Sequence, residues 1–173
     1  MSENVPVQPA ETYAADLADH PFFVKDEKNY INILSKDQLS ALQNMSLLDI
    51  FLSRHQMIEP HYHPNATELI YCVSGSVTVS LLGLESKKFH HYRITKGQAV
   101  SVPQGFWHYF IAEADGTHVQ GIFDAGKPQT GFGSDLLALT PKDVMPYAYG
   151  MDAAAWEAAV RPVKPGVIIG PPA

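Results

Sequence analysis

Between Tyr30 and Phe123, short apolar runs alternate with polar residues and are interrupted at close intervals by Gly, Pro, Asn and Asp. That rhythm predicts half-buried strands and an all-β fold of the sandwich or barrel type. The strands expected are residues 30–34, 46–53, 68–73, 76–82, 91–95, 99–102, 106–112 and 118–123. Between the first two, Ser35 and Gln38 have capping-box spacing ahead of Leu39 and Leu42, which predicts one or two helical turns.

The flanks follow other patterns. Residues 1–29 read as a polar N-terminal arm in which Ala14, Leu17 and Ala18 allow one helical turn before Pro21. Residues 30–123 form the expected β-barrel, and 124–173 a C-terminal region of loop, short helices and Pro-rich tail packed on it. Within that region, glycine-rich 124–133 reads as a mobile loop. Thr140 is an expected N-cap with Pro141 at the first helical position, and Asp152 caps a helix over 153–160 that buries Trp156 on one side. Four prolines around Val167, Ile168 and Ile169 predict a tail draped over the surface.

Composition narrows the class. Of 173 residues, 46% are hydrophobic and 17% charged, with 12 Gly and 13 Pro, which excludes disordered, coiled-coil and collagen-like chains. A net charge of -6 carries no basic footprint, so neither a nucleic-acid nor a membrane partner is expected. No run approaches the ~20 apolar residues of a bilayer span. The single cysteine, Cys72, forms no intrachain disulfide and no cysteine zinc cage. With a polar start that does not resemble a secretory signal, it leads to an expected cytoplasmic location.

The candidate chemistry lies in residues 59–77, EPHYHPNATELIYCVSGSV. His61 and His63 are two apart, so on an extended strand they share a face with Cα atoms roughly 6.5 to 7 Å apart, within reach of one metal ion. Glu68 supplies an oxygen ligand, and His108 completes a His3Glu set if the sheet returns that strand to the first. Such a set leaves a divalent ion with adjacent open positions, suited to a small acid that chelates through two oxygens. Mn or Fe there supports oxidative chemistry, whereas Ni or Zn supports Lewis-acid chemistry.

A lone His-x-His is a weak signal, but the spacing extends further. His61, His63, Glu68 and Gly75 form His-x-His-x4-Glu-x6-Gly, and Gly97, Pro103, Gly105 and His108 form Gly-x5-Pro-x-Gly-x2-His. These two motifs resemble those of the cupin superfamily. The wording of the first is similar to the bacterial oxalate decarboxylase and germin-like branch, and the resemblance extends from Tyr30 to Trp156. It implies a single-domain relative with a double-stranded β-helix, a jelly-roll-like barrel, and short flanking helices at the C-terminus. It further implies one divalent ion on His61, His63, Glu68 and His108, Mn being favoured in this branch, and a homodimer.

The departures bear on function. The superfamily's leading glycine is His55 here, and the asparagine after the last histidine is Ala112. The arginine with which the decarboxylases hold the substrate carboxylate corresponds to Ile58. Their lid glutamate has no counterpart in 126–133, which contains no acid. Both changes argue against oxalate decarboxylation itself. Three functions remain: an oxidative or decarboxylating enzyme acting on a small chelating carboxylic acid, a non-catalytic metal or small-ligand binder serving as sensor, store or structural module, and a Lewis-acid isomerase of a sugar or keto acid. Catalytic residues stay unassigned, with Arg54 and Gln120 the polar side chains to locate first. Cys72 is expected to be buried and inert. His90 and His91, adjacent on a strand, point oppositely, and His20, His55 and His118 have no partner at ligand spacing.

Overall fold

A computed structural model of the chain describes residues 13–172. Strands β1 (Pro21–Asp26), β2 (Asn29–Leu34), β3 (Ser46–Leu52), β4 (Met57–Tyr62), β5 (Glu68–Ser74) and β6 (Ser76–Gly83) come first. They are followed by β7 (Lys88–Thr95), β8 (Ala99–Val102), β9 (His108–Ala112), β10 (Thr117–Phe123) and the two-residue β11 (Gly131–Phe132). Helices α1 (Gly133–Leu139), α2 (Val144–Tyr149) and α3 (Ala153–Val160) precede β12 (Ile169–Gly170).

Among the described residues the strands form two antiparallel sheets, ordered β1-β2-β3-β10-β5-β8 and β11-β4-β9-β6-β7, with β12 added to β4. The fold is the expected jelly-roll type with a few short helices, although its ladders make two sheets and not one closed ring. Alternation decides which side chains face inward. Glu68, Ile70 and Cys72 of β5 are buried while Leu69 and Tyr71 are exposed, and β9 and β10 keep the same period. Ile50, Leu52, Ile70 and Val119 from one sheet pack with Ile58, Val77, Val79 and Phe110 from the other.

Gly75, at the β5–β6 turn, has φ +77, and a Cβ there would lie 2.7 Å from the Thr117 backbone. Only glycine meets both conditions. The residue found in place of the leading motif glycine behaves similarly: His55 has φ +68 and donates its amide to the Ala112 carbonyl at 2.8 Å.

Several expectations change. Residues 21–26 are a strand because Asp26 closes a tight turn, its Oδ1 accepting from the amides of Lys28 and Asn29 at 2.9 and 3.0 Å. The Ser35–Gln38 box forms as expected, the Ser35 amide donating to Gln38 Oε1 at 3.0 Å and the Leu39 amide to the Ser35 carbonyl at 2.9 Å, which closes one turn with no helix continuing from it. Thr140 ends α1 and does not begin α2; its hydroxyl donates to the Leu136 carbonyl at 2.6 Å. Asp152 caps α3 as expected, accepting from the Ala155 amide at 2.7 Å, and Trp156 is half-buried.

The tail differs most. Ile169 and Gly170 pair with Ile58 and Met57, and Ile169 is 1% exposed. The tail therefore enters the sheet edge, since an unpaired β4 edge offers donors and acceptors that a Pro-flanked apolar triplet can fill. The loop 124–133 is tethered: Asn65 donates to the Lys127 carbonyl and accepts from the Gln129 amide, and Lys127 pairs with Asp37.

Candidate metal centre

Strand β4 carries His61 opposite His108 of β9. Its register with β9 shifts between Ile58 and His61, a bulge that places both on the inner face although they are three apart. His63 follows immediately after β4, where its carbonyl accepts from the Gly105 amide at 2.9 Å. Glu68 opens β5 beside Phe123 of β10 and Val102 of β8. The return of β9 against β4 thus closes a sequence gap of more than forty residues.

All four side chains are buried, at 3% (His61), 4% (His63), 2% (Glu68) and 0% (His108) exposure. One potential ligand atom from each lies within 4.8 Å of the others. Each imidazole is oriented by the backbone: Nδ1 of His61 lies 2.6 Å from the Glu59 carbonyl, that of His63 2.9 Å from the Gln129 carbonyl, and that of His108 2.9 Å from the Phe106 carbonyl. A carbonyl only accepts, so each Nδ1 carries a proton and Nε2 is the ring atom left to face the other ligands.

Those Nε2 atoms meet the carboxylate. Glu68 Oε2 lies 3.0 Å from His108 Nε2 and 3.3 Å from His63 Nε2. His63 Nε2 is buried and has no hydrogen-bond partner among the described residues, despite that proximity. Burial, together with the positive charge that His108 would carry, pushes the His61 pKa down to about 3. Burial also opposes ionisation of Glu68, but the adjoining His108 and His63 imidazoles outweigh it and hold the carboxyl below its usual range. Three imidazole nitrogens and a carboxylate converge on one point, and a divalent cation bound by deprotonated Nε2 atoms and the carboxylate satisfies them all. The donor set fits such an ion.

Around this point is a cavity of about 50 Å³, lined chiefly by Ile31, Ile50, Ile58, Phe110 and Phe132. Among the described residues its one hydroxyl is that of Thr130, 3.3 Å from His63 Nδ1. Neither Arg54 nor Gln120 faces it. Arg54 is exposed at the β3–β4 turn, and Gln120 points from the opposite face of β10 to Asp49 at 3.1 Å. His118 joins Asp49 at 2.6 Å on that outer face, stacked on Phe51. Cys72 is buried on the inner face of β5, and burial raises its thiol pKa.

Two contributors escaped sequence reasoning. Glu59 is 6% exposed and binds the start of α1 and the tail through its carboxylate, while its carbonyl orients His61. Ile168 reaches the cavity from the tail with φ +54, a left-handed conformation that costs a β-branched residue roughly 1 to 3 kcal/mol. Hydrogen bonds to both the backbone and the carboxylate of Glu59 hold it there. No motif marks either residue; the single legible hint is the apolar triplet at 167–169 between prolines.

A family described as Cupin matches residues 19–155. Curated relatives include the 13S globulin seed storage protein 2 of Fagopyrum esculentum, 26% identical over 124 residues, covering 69% of this chain and 25% of that protein. Cruciferin PGCRURSE5 of Raphanus sativus is 28% identical over 90 residues, covering 52% of this chain and 17% of its own. The chain therefore spans about a quarter or less of the length of these relatives. Among solved structures, the coconut allergen cocosin superposes with a TM-score of 0.78 at 22% identity, over 92% of this chain and 43% of that one. Oxalate decarboxylase from Bacillus subtilis gives 0.80 at 21%, over 94% and 42%. These two similarities establish the fold alone.

Proposed function

Because the chain belongs to the cupin family, we propose that it holds one divalent metal ion through Nε2 of His61, His63 and His108 and a carboxylate oxygen of Glu68. The single observation that carries this reading is the buried, partnerless Nε2 of His63 facing the Glu68 carboxylate. Mn is the ion we favour, with Fe, Ni and Zn as alternatives, and the Mn(II) centres of Bacillus subtilis oxalate decarboxylase, a structural neighbour, support that choice. An ion bound there would supply positive charge and adjacent open positions for two oxygens of a small chelating acid.

What the chain's own residues add favours binding over decarboxylation. Ile58, 5% exposed, stands where a carboxylate clamp would need a cation, and among the described residues the cavity contains no acid beyond Glu68 to deliver a proton. Isoleucines and phenylalanines exclude water and strengthen any charge interaction inside. A non-catalytic metal and small-ligand binder is thus our first reading, and the seed storage relatives accord with it. Oxidative chemistry on a small acid is the second, supported by the three-histidine, one-carboxylate donor set itself.

Elemental mass spectrometry on untagged protein purified without chelator tests the centre. About one ion per chain, lost in His108→Ala, is the expected result; no metal, and none taken up on reconstitution, overturns it. Turnover of oxalate or a related acid, with or without dioxygen, would replace the first reading by the second. A homodimer, expected from the family resemblance, is tested by light scattering against the 19.0 kDa chain mass.

A further inference from the structure

A second and much larger cavity, of about 750 Å³, lies on the other side of β4. The β4 bulge separates the two: Ile58 and His61 line the metal cavity, whereas Glu59 and Pro60 line the larger one. The tail divides likewise, Ile168 facing the first and Ile169 the second. The larger cavity's wall is apolar, with Phe23, Trp107, Leu136, Leu137 and Val167 prominent in it. Leu136 and Leu137 are 44% and 38% exposed, so the chain leaves this surface partly wet. A concave site of this size suits a small organic ligand.

The charges on the lining specify its kind. Lys25 and Lys164 both border the cavity. Lys25 Nζ donates only to neutral acceptors, Gln56 Oε1 at 2.5 Å and the Pro171 carbonyl, and neither lysine pairs with a carboxylate among the described residues. The one acid on the lining among the described residues, Glu59, has its oxygens occupied by the Ser134 amide and hydroxyl and the Ile168 amide. Two uncompensated ammonium groups beside an apolar wall, in a chain of net charge -6, favour a ligand that brings a negative head and an alkyl tail. We propose that this cavity binds a medium-chain fatty-acid carboxylate, its head at Lys25 and Lys164 and its chain against Trp107, Leu136 and Leu137.

Trp107 lines the cavity and reports on it, with Trp156→Phe removing the other indole. Octanoate, decanoate, decanol and decyltrimethylammonium, each below its micelle concentration, are titrated into the full chain while fluorescence is followed. Decanoate is expected to saturate the signal and to bind roughly tenfold tighter than octanoate, as burial of two further methylenes requires. The double substitution Lys25→Met, Lys164→Met should weaken decanoate about tenfold and leave decanol unchanged, and Val167→Trp should block both. Three results overturn the proposal: no saturable signal with any probe, decanoate affinity indifferent to chain length or to the lysines, or a ligand-free dimer in which Trp107 is shielded from acrylamide. The last would identify a second copy of the chain as the occupant.

Discussion

The Glu59 carboxylate and Ser134 are joined twice inside the protein, the Ser134 amide donating to Oε2 at 2.7 Å and its hydroxyl to Oε1 at 2.8 Å. The Ile168 amide adds a third bond at 2.7 Å. One buried carboxylate therefore fastens α1 and the tail to β4, two residues before His61. In Glu59→Gln, an NH2 group replaces one acceptor and confronts donors. Stability should fall by about 2 to 4 kcal/mol, from lost charge-assisted bonds and unsatisfied donors. Urea unfolding reads this directly, and a loss under ~0.5 kcal/mol would show that the network is dispensable.

Metal removal should be visible as lost stability, because an ion that binds only the folded chain stabilises it by mass action. At a hundredfold excess over Kd the gain is about 2.7 kcal/mol. For a chain of this size that is a Tm difference of roughly 5 to 10 °C between Mn-loaded and chelator-treated protein. Calorimetry giving identical transitions would contradict the proposed centre.

Gly121→Ala tests the site from behind. A Cβ at Gly121 would lie 2.5 Å from Glu68 Oε1, so the carboxylate must move. Metal affinity should drop at least about tenfold, from displacement of one ligand, with little change in circular dichroism. Gly97→Ala is the control: it meets no neighbour but sits at φ +84, so it should cost about 1 kcal/mol of stability and leave the metal in place.

His55 occupies a left-handed position without the freedom of glycine. His55→Gly removes a Cβ penalty of about 1 to 2 kcal/mol and adds back part of it as unfolded-chain entropy. A net gain of up to ~1 kcal/mol is expected in denaturant melts, with the m-value unchanged. A clear loss would mean that the imidazole itself contributes a contact.

Cys72 should resist a disulfide reagent in the native protein at pH 8 and react fully once unfolded. It is 0% exposed, and burial raises its thiol pKa, so little thiolate is present and none is accessible. Rapid native reaction would require the β5–β10 region to open.

Much of this was legible beforehand because it rests on periods and spacings that survive any packing. Alternation marked most strands, Asp152 marked the start of α3, and the two motifs singled out His61, His63, Glu68 and His108, which the structure brings together. Strands β1, β4, β11 and β12 were not marked. β1 is held by an Asx turn, β4 carries a bulge that breaks its period, and β11 and β12 are too short to show one.

The sequence by itself determined the all-β class, the inward faces of its regular strands and the residue types able to bind a metal, because side-chain period and ligand spacing are local. Tertiary structure alone decided that Ile58 shares a face with His61, that carbonyls of Glu59, Gln129 and Phe106 orient the three imidazoles, and that the tail enters the sheet through Glu59. Those outcomes depend on which backbone groups remain unpaired once distant strands have met. A hydrogen bond between positions 59 and 168 leaves no trace in either segment read alone.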